Sequence, residues 1–178
     1  MKIEYREGDL FSHPFSKNNT ITFLSHVCNA HGAMGSGFVV PLTNKFPKVR
    51  SDYLQWANQN DSLKPFELGQ TQFVECESDG ENLVVCNMVA QTLGGDRPLF
   101  YNKLANCMDD VARLANSKQI QSDCKVEIVA PLFGAGLAKG NWLFIEELIQ
   151  DCWSDFTVFV YYLPDNLPHN WTPPNFHN

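Results

Sequence analysis

The run Thr20-Ile21-Thr22-Phe23-Leu24-Ser25-His26-Val27-Cys28 passes directly into Asn29-Ala30-His31-Gly32-Ala33-Met34-Gly35-Ser36-Gly37-Phe38, and this junction decides the fold. The first part is continuously apolar enough to be a strand covered on both faces, as in the middle of a parallel sheet. The second part spaces glycines at 32, 35 and 37, which frees the backbone to turn at positive φ and approach a ligand closely. Successive N–H groups in such a loop, followed by a helix, form an anion-binding nest.

The same order recurs further on. Lys125–Pro131 reads as a second buried strand, Phe133-Gly134-Ala135-Gly136-Leu137-Ala138-Lys139-Gly140 as its glycine loop, and Trp142–Trp153 as the following helix, with Asn141 placed to cap it. Around these units, Met1–Arg6 is a short first strand closed by Glu7-Gly8-Asp9. Gly37–Lys45 and Lys48–Asn58 read as short helices, with Pro47 opening the second. Gln70–Cys76 and Leu83–Ala90 form a strand pair turned at Ser78-Asp79-Gly80. Tyr101–Ser117 carries Leu104, Met108, Val111, Ala112 and Ala115 at helical spacing, and Phe156–Leu163 is the last strand. The expected fold is α/β: three layers, α/β/α, around a mixed, mostly parallel sheet. One domain spans 1–163, and the proline-rich segment 164–178 is an irregular tail over the surface. Ligands of such sheets sit outside the carboxyl ends of the strands, where both glycine loops fall.

Composition narrows the partners. The chain has 178 residues, 13 Lys and Arg against 20 Asp and Glu, and a net charge of −7. A sequence-independent grip on nucleic acid needs cations to neutralise phosphates, so nucleic acid is not an expected partner. A small phosphorylated ligand remains open, because backbone amides bind phosphate without net positive charge. Cysteines 28, 76, 86, 107, 124 and 152 form no CxxC pair, so no metal site and no cofactor are expected, and the thiols read as reduced. Met1–Glu7 is charged and the longest apolar run, Phe156–Leu163, is too short to span a bilayer, so the expectation is a cytoplasmic monomer without a membrane partner. Gly32, Gly35 and Gly37 give GxxGxG, the reverse of the dinucleotide fingerprint, and neither GxxxxGK[ST] nor GxSxG occurs.

Gly8-Asp9-Leu10, Cys28-Asn29-Ala30 leading to Gly35-Ser36-Gly37-Phe38, and Gly134-Ala135-Gly136-Leu137 ahead of Gly140-Asn141-Trp142 together resemble the macro domain family in order and spacing, over roughly residues 2–163. Members bind ADP-ribose, and some hydrolyse ADP-ribose 1″-phosphate or ADP-ribosyl linkages. The resemblance implies that Asp9, with Leu10, meets the adenine and that Asn29 holds the distal ribose. Gly35, Ser36, Gly37 and Phe38 would wrap the distal phosphate and ribose. Phe133, Gly134, Ala135, Gly136 and Leu137 would take the diphosphate through backbone amides, and Tyr162 would lie beside the adenine. The residues themselves leave alternatives: Asp9 as a turn cap, Asn29 as a pin for its own loop, Tyr162 as core.

For catalysis, the segment Ser25-His26-Val27-Cys28-Asn29 resembles the ADP-ribose 1″-phosphate phosphatase branch, which has a histidine at the position of His26. An imidazole near neutrality can serve as general acid or base in attack on a phosphate monoester. His26, Asn29 and His31 are therefore the catalytic candidates, with a core role as the alternative for His26. A related branch that cleaves ADP-ribose from glutamate has an aspartate directly after its second loop and a lysine partner. Here Ala138 stands at that position and Asn87-Met88-Val89-Ala90-Gln91 contains no lysine, so that pair is missing. Arg97 and Tyr101 read as an ordered start to the long helix. Two other readings stand beside the phosphatase: a binding module without turnover, and a hydrolase acting on an ADP-ribosylated macromolecule.

Overall fold

The computed structural model describes residues 3–59 and 61–174. Along the chain run β1 (Glu4–Glu7), a 3-10 turn (Leu10–Ser12), β2 (Thr20–Asn29), α1 (Val39–Lys45), α2 (Pro47–Asn58), β3 (Thr71–Ser78), β4 (Glu81–Gln91), α3 (Tyr101–Ser122), β5 (Lys125–Pro131), α4 (Trp142–Cys152) and β6 (Thr157–Tyr162). The strands form one sheet in the order β1-β6-β5-β2-β4-β3. Every pairing is parallel except β3 with β4. The fold is therefore α/β with a mixed, mostly parallel sheet, as the alternation of strand and helix patterns predicts.

Alternation along β2 explains the layers. Phe23 points into the core beneath α3 and α4, with Met88, Leu104, Met108, Ile145 and Trp153. Leu24 and Cys28 point the other way, into the core beneath α1 and α2, with Leu42, Val49, Tyr53 and Trp56. Each such side chain, fully removed from water, contributes about 1.5–3 kcal/mol before conformational entropy is set against it. The buried indoles keep their N–H groups bonded: Trp142 donates to the Tyr5 hydroxyl at 2.9 Å, and Trp153 to the Met108 carbonyl at 2.9 Å.

The element ends differ from the sequence reading for local reasons. The first helix begins at Val39 rather than Gly37, because Gly37 takes φ +73° and still belongs to the loop. The long helix runs on to Ser122 and stops where Asp123 turns left-handed at φ +51°. The β3–β4 connection is a two-residue turn with Asp79 at φ +52° and Gly80 at φ +75°, the requirement of a type I′ hairpin. The 3-10 turn at Leu10–Ser12, capped by Asp9, is too short to leave a periodic signal. Met1 and Lys2 of the expected first strand and 175–178 of the expected tail lie outside the described residues. Residues 164–174 contain no helix or strand. Within them Trp171 packs back onto Tyr5 and Tyr162, with ring centroids 5.1 and 5.8 Å apart.

Asn141 caps α4 by accepting from the Leu143 amide at 3.1 Å. The residue is exposed, so its replacement removes the cap without opening a cavity. Asn141→Ala is expected to lower the unfolding free energy by about 1 kcal/mol, read from the urea midpoint at unchanged slope.

Candidate functional site

Because β1, β6, β5, β2 and β4 run parallel, their carboxyl ends share one edge of the sheet. Gly8–Leu10, the loop after Asn29, the segment after Gln91, the loop after Pro131 and Leu163 all emerge there. The expected site residues thus come to one edge, where they play unequal parts.

The first glycine loop is built around the Asn29 side chain. Its Oδ1 accepts from the amides of His31 at 3.0 Å and Ala33 at 3.2 Å, and its Nδ2 donates to the Ala33 carbonyl at 2.5 Å. The Tyr53 hydroxyl, from the buried face of α2, donates to the Asn29 carbonyl at 2.7 Å and also lies 3.0 Å from Oδ1. Arg50, also on α2, donates to the Met34 carbonyl at 3.1 Å. Asn29 is thereby committed to the loop's shape, the pinning role that its short amide left open. Gly35, Ser36 and Gly37 are exposed, Phe38 half-buried. Among the described residues, no hydrogen bond takes up the amides of Gly35, Ser36 or Gly37.

The second loop closes on itself. The Gly140 amide donates to the Gly134 carbonyl at 2.7 Å, and a Cβ at Gly140 would lie 2.5 Å from that oxygen, so only glycine fits. The Leu99 amide donates to the Ala138 carbonyl at 3.2 Å, and the Asn141 amide to the Tyr101 hydroxyl at 2.8 Å. Arg97 lies over the Tyr101 ring, 4.4 Å from its centroid, and so rests on the same support. Phe133, Gly134 and Ala135 are buried; Gly136 and Leu137 are exposed, and their amides are likewise unspent among the described residues. The loops meet: a Cβ built on Gly37 falls 3.6 Å from Leu137 Cδ1. Backbone donors without a partner among the described residues thus stand on both loops where the loops approach each other, an arrangement suited to a polyanion.

On the far side, Asp9 Oδ1 accepts from the Phe11 amide at 2.9 Å, the turn-cap role, while its side chain stays exposed. Leu10 is buried beneath it. Tyr162 packs on Trp171, consistent with the core alternative. No group of three or more His, Cys, Asp or Glu among the described residues is arranged to hold a metal ion. No helix among them is long and apolar enough to cross a membrane.

No family model matches the chain. It is 32% identical, over 162 residues, to the uncharacterised 17.5 kDa protein in the tk-vs intergenic region of Enterobacteria phage T4, covering 90% of this chain and 96% of the phage protein. A macrodomain protein from Streptomyces coelicolor superposes with a TM-score of 0.68 at 28% identity, over 90% of this chain and 99% of that one. The chain belongs to the macro domain family. This macro domain is also 26% identical, over 165 residues, to an ADP-ribose 1″-phosphate phosphatase from Debaryomyces hansenii, covering 83% of the chain and 92% of the relative.

The two histidines of the first loop region part company. His31 is exposed in the loop. His26 is 2% exposed, its Nε2 lies 2.5 Å from Asn87 Oδ1, and the Cys28 sulfur stands 3.9 and 3.8 Å from its two ring nitrogens. Asn87, Cys28 and Phe38 thus surround the ring and keep it from solvent. The sequence reading missed Tyr53, Arg50, Asn87 and the partner role of Tyr101. For Tyr53 a signal existed: a tyrosine on the apolar face of a helix needs a partner for its hydroxyl. For Asn87 only the strand register reveals the neighbour.

Burial lowers the His26 pKa from 6.5 to about 4, against a smaller opposite effect of the Asn87 hydrogen bond. The unfolded chain takes up this proton near 6.5 and the folded macro domain only near 4. Its contribution to stability is therefore complete above pH 6.5 and falls as the pH falls, by about 3 kcal/mol at pH 4. Urea unfolding from pH 7 to 4 should show this extra loss in the unsubstituted chain. His26→Gln, which cannot titrate, should lack it; parallel pH profiles would contradict the assignment.

Proposed function

We propose that this macro domain binds an ADP-ribose derivative across its two glycine loops and hydrolyses the terminal phosphate of ADP-ribose 1″-phosphate. The observation that carries the reading is the close approach of the loops at Gly37 and Leu137, with unspent amides on either side. The relative named ADP-ribose 1″-phosphate phosphatase supports the choice of substrate.

In this reading the diphosphate lies on the amides of Gly136 and Leu137, at the end of the stretch from Phe133 through Gly134 and Ala135. The distal ribose and its phosphate lie against Gly35, Ser36, Gly37 and Phe38, over the loop that Asn29 shapes. The adenine extends toward Asp9, Leu10 and Tyr162. Water attacks the phosphorus, the bond from phosphorus to the 1″ oxygen breaks, the sugar oxygen takes up a proton, and inorganic phosphate leaves. His31 is the proton carrier of choice: its backbone amide is tied to Asn29 at 3.0 Å while its ring reaches into solvent. With Ala138 where a carboxylate would stand, nothing there supports cleavage by a lysine–aspartate pair.

Capture without turnover is the second reading, and one observation favours it. Of the three catalytic candidates, Asn29 is bonded into its own loop and His26 is enclosed, which leaves His31 as the one exposed imidazole of the three. A ³¹P NMR time course with substoichiometric protein separates the two. Turnover converts the monoester resonance of ADP-ribose 1″-phosphate to inorganic phosphate, and His31→Ala should slow it by about 10²-fold. Resonances that only broaden at equimolar protein would establish capture. Release of free ADP-ribose from a modified macromolecule, with the 1″-phosphate untouched, would move the function to a different hydrolase chemistry.

A further inference from the structure

His26, Asn87 and Gln72 lie in one row across three strands: His26 of β2 pairs with Asn87 of β4, and Asn87 pairs with Gln72 of β3. Their side chains continue the row as hydrogen bonds. His26 Nε2 is 2.5 Å from Asn87 Oδ1, Asn87 Nδ2 donates to Gln72 Oε1 at 3.0 Å, and Gln72 Nε2 donates to the Asp52 carbonyl of α2 at 2.9 Å. The last acceptor removes the usual ambiguity of amide and imidazole assignment. A backbone carbonyl can only accept, so Gln72 must turn its nitrogen to Asp52 and its oxygen to Asn87. Asn87 must then turn its nitrogen to Gln72 and its oxygen to His26. An amide oxygen so placed needs a donor, and a neutral imidazole meets that need only with the proton on Nε2. The opposite tautomer would set two lone pairs against each other in a buried site where Asn87 is fully enclosed.

The same ring supports the first loop. Phe38 packs on His26 with centroids 5.8 Å apart, and Phe11 stacks on Phe38 at 5.6 Å with the planes 10° apart. The helix that receives the relay at Asp52 also grips the loop through Arg50 and Tyr53. We infer that His26 is a positioning residue, held as the Nε2–H tautomer by the Asn87–Gln72–Asp52 relay, that sets Phe38 and with it the ligand face of the first glycine loop. The relay admits one ring orientation. The inference rests on the reading above only for the identity of the ligand.

The test begins with the unsubstituted full chain and no ligand. Long-range ¹H–¹⁵N correlation of the imidazoles should show His26 with a protonated Nε2 and a bare Nδ1, unaveraged, while His31 shows exchange between tautomers. An averaged or Nδ1-protonated His26 overturns the inference. Gln72→Met, at a half-buried site of similar volume, frees Asn87 to reverse. It should average the His26 tautomers, shift the amide resonances of residues 35–38, and weaken ADP-ribose binding by about fivefold, the worth of one neutral hydrogen bond. Averaged tautomers with the resonances of 35–38 unmoved would mean that His26 positions nothing. Absence of ADP-ribose binding by the unsubstituted chain, with the tautomer and loop shifts as expected, would remove the proposed ligand and leave the positioning role intact.

Discussion

The constraint on which the rest depends is the parallel pairing of β2 with neighbours on both sides. Such a strand, paired with β4 along its length and with β5 over Thr20–Leu24 and covered on both faces, is mostly apolar, with Thr22, Ser25 and His26 as its buried polar side chains. Parallel pairing also forces each connection to cross a face of the sheet before the next strand begins. The crossovers bring α1 and α2 to one face, α3 and α4 to the other, and leave the turns after the strands at a single edge. The glycine loops follow β2 and β5, neighbours in the sheet, and so emerge side by side.

Much of the architecture was legible for the same reason. Thr20–Cys28, Lys125–Pro131 and the stripe along Tyr101–Ser117 report burial directly, since burial is what hydrophobic pattern records. The helix that carries on to Ser122 escaped because its last five residues place their one apolar side chain, Ile120, in solvent, so no apolar periodicity marks them. The 3-10 turn at Leu10–Ser12 is a single turn fixed by the Asp9 cap, and Gly37 belongs to the loop through a positive φ that a pattern of side chains does not encode.

The site divides along a similar line. Loops that turn at glycine announce themselves by residue type, so the turns around 35–37 and 134–136 could be read in advance. Side chains that hold those loops do so from other elements, by contacts between residues far apart in sequence. Tyr53 reaches back 24 positions to Asn29, and Tyr101 reaches forward 40 to Asn141. The two candidate histidines could not be separated from the sequence, because register and enclosure by Asn87 and Cys28, rather than residue type, bury His26 while His31 stays exposed.

The sheet order has a bearing on assembly of the chain. Among the described residues β1 pairs only with β6, the last strand, so these partners are separated by nearly the entire sequence. Trp171, later still, lies against Tyr5 of that first strand. A contact of such sequence separation carries a large loop-closure cost and forms late. During synthesis the first strand leaves the ribosome well before its partner exists, with an unpaired edge and the Tyr5 ring uncovered. Strands β2 to β5 can meet earlier, so the addition of β6 and the closure of β1 onto it under Trp171 complete the native sheet.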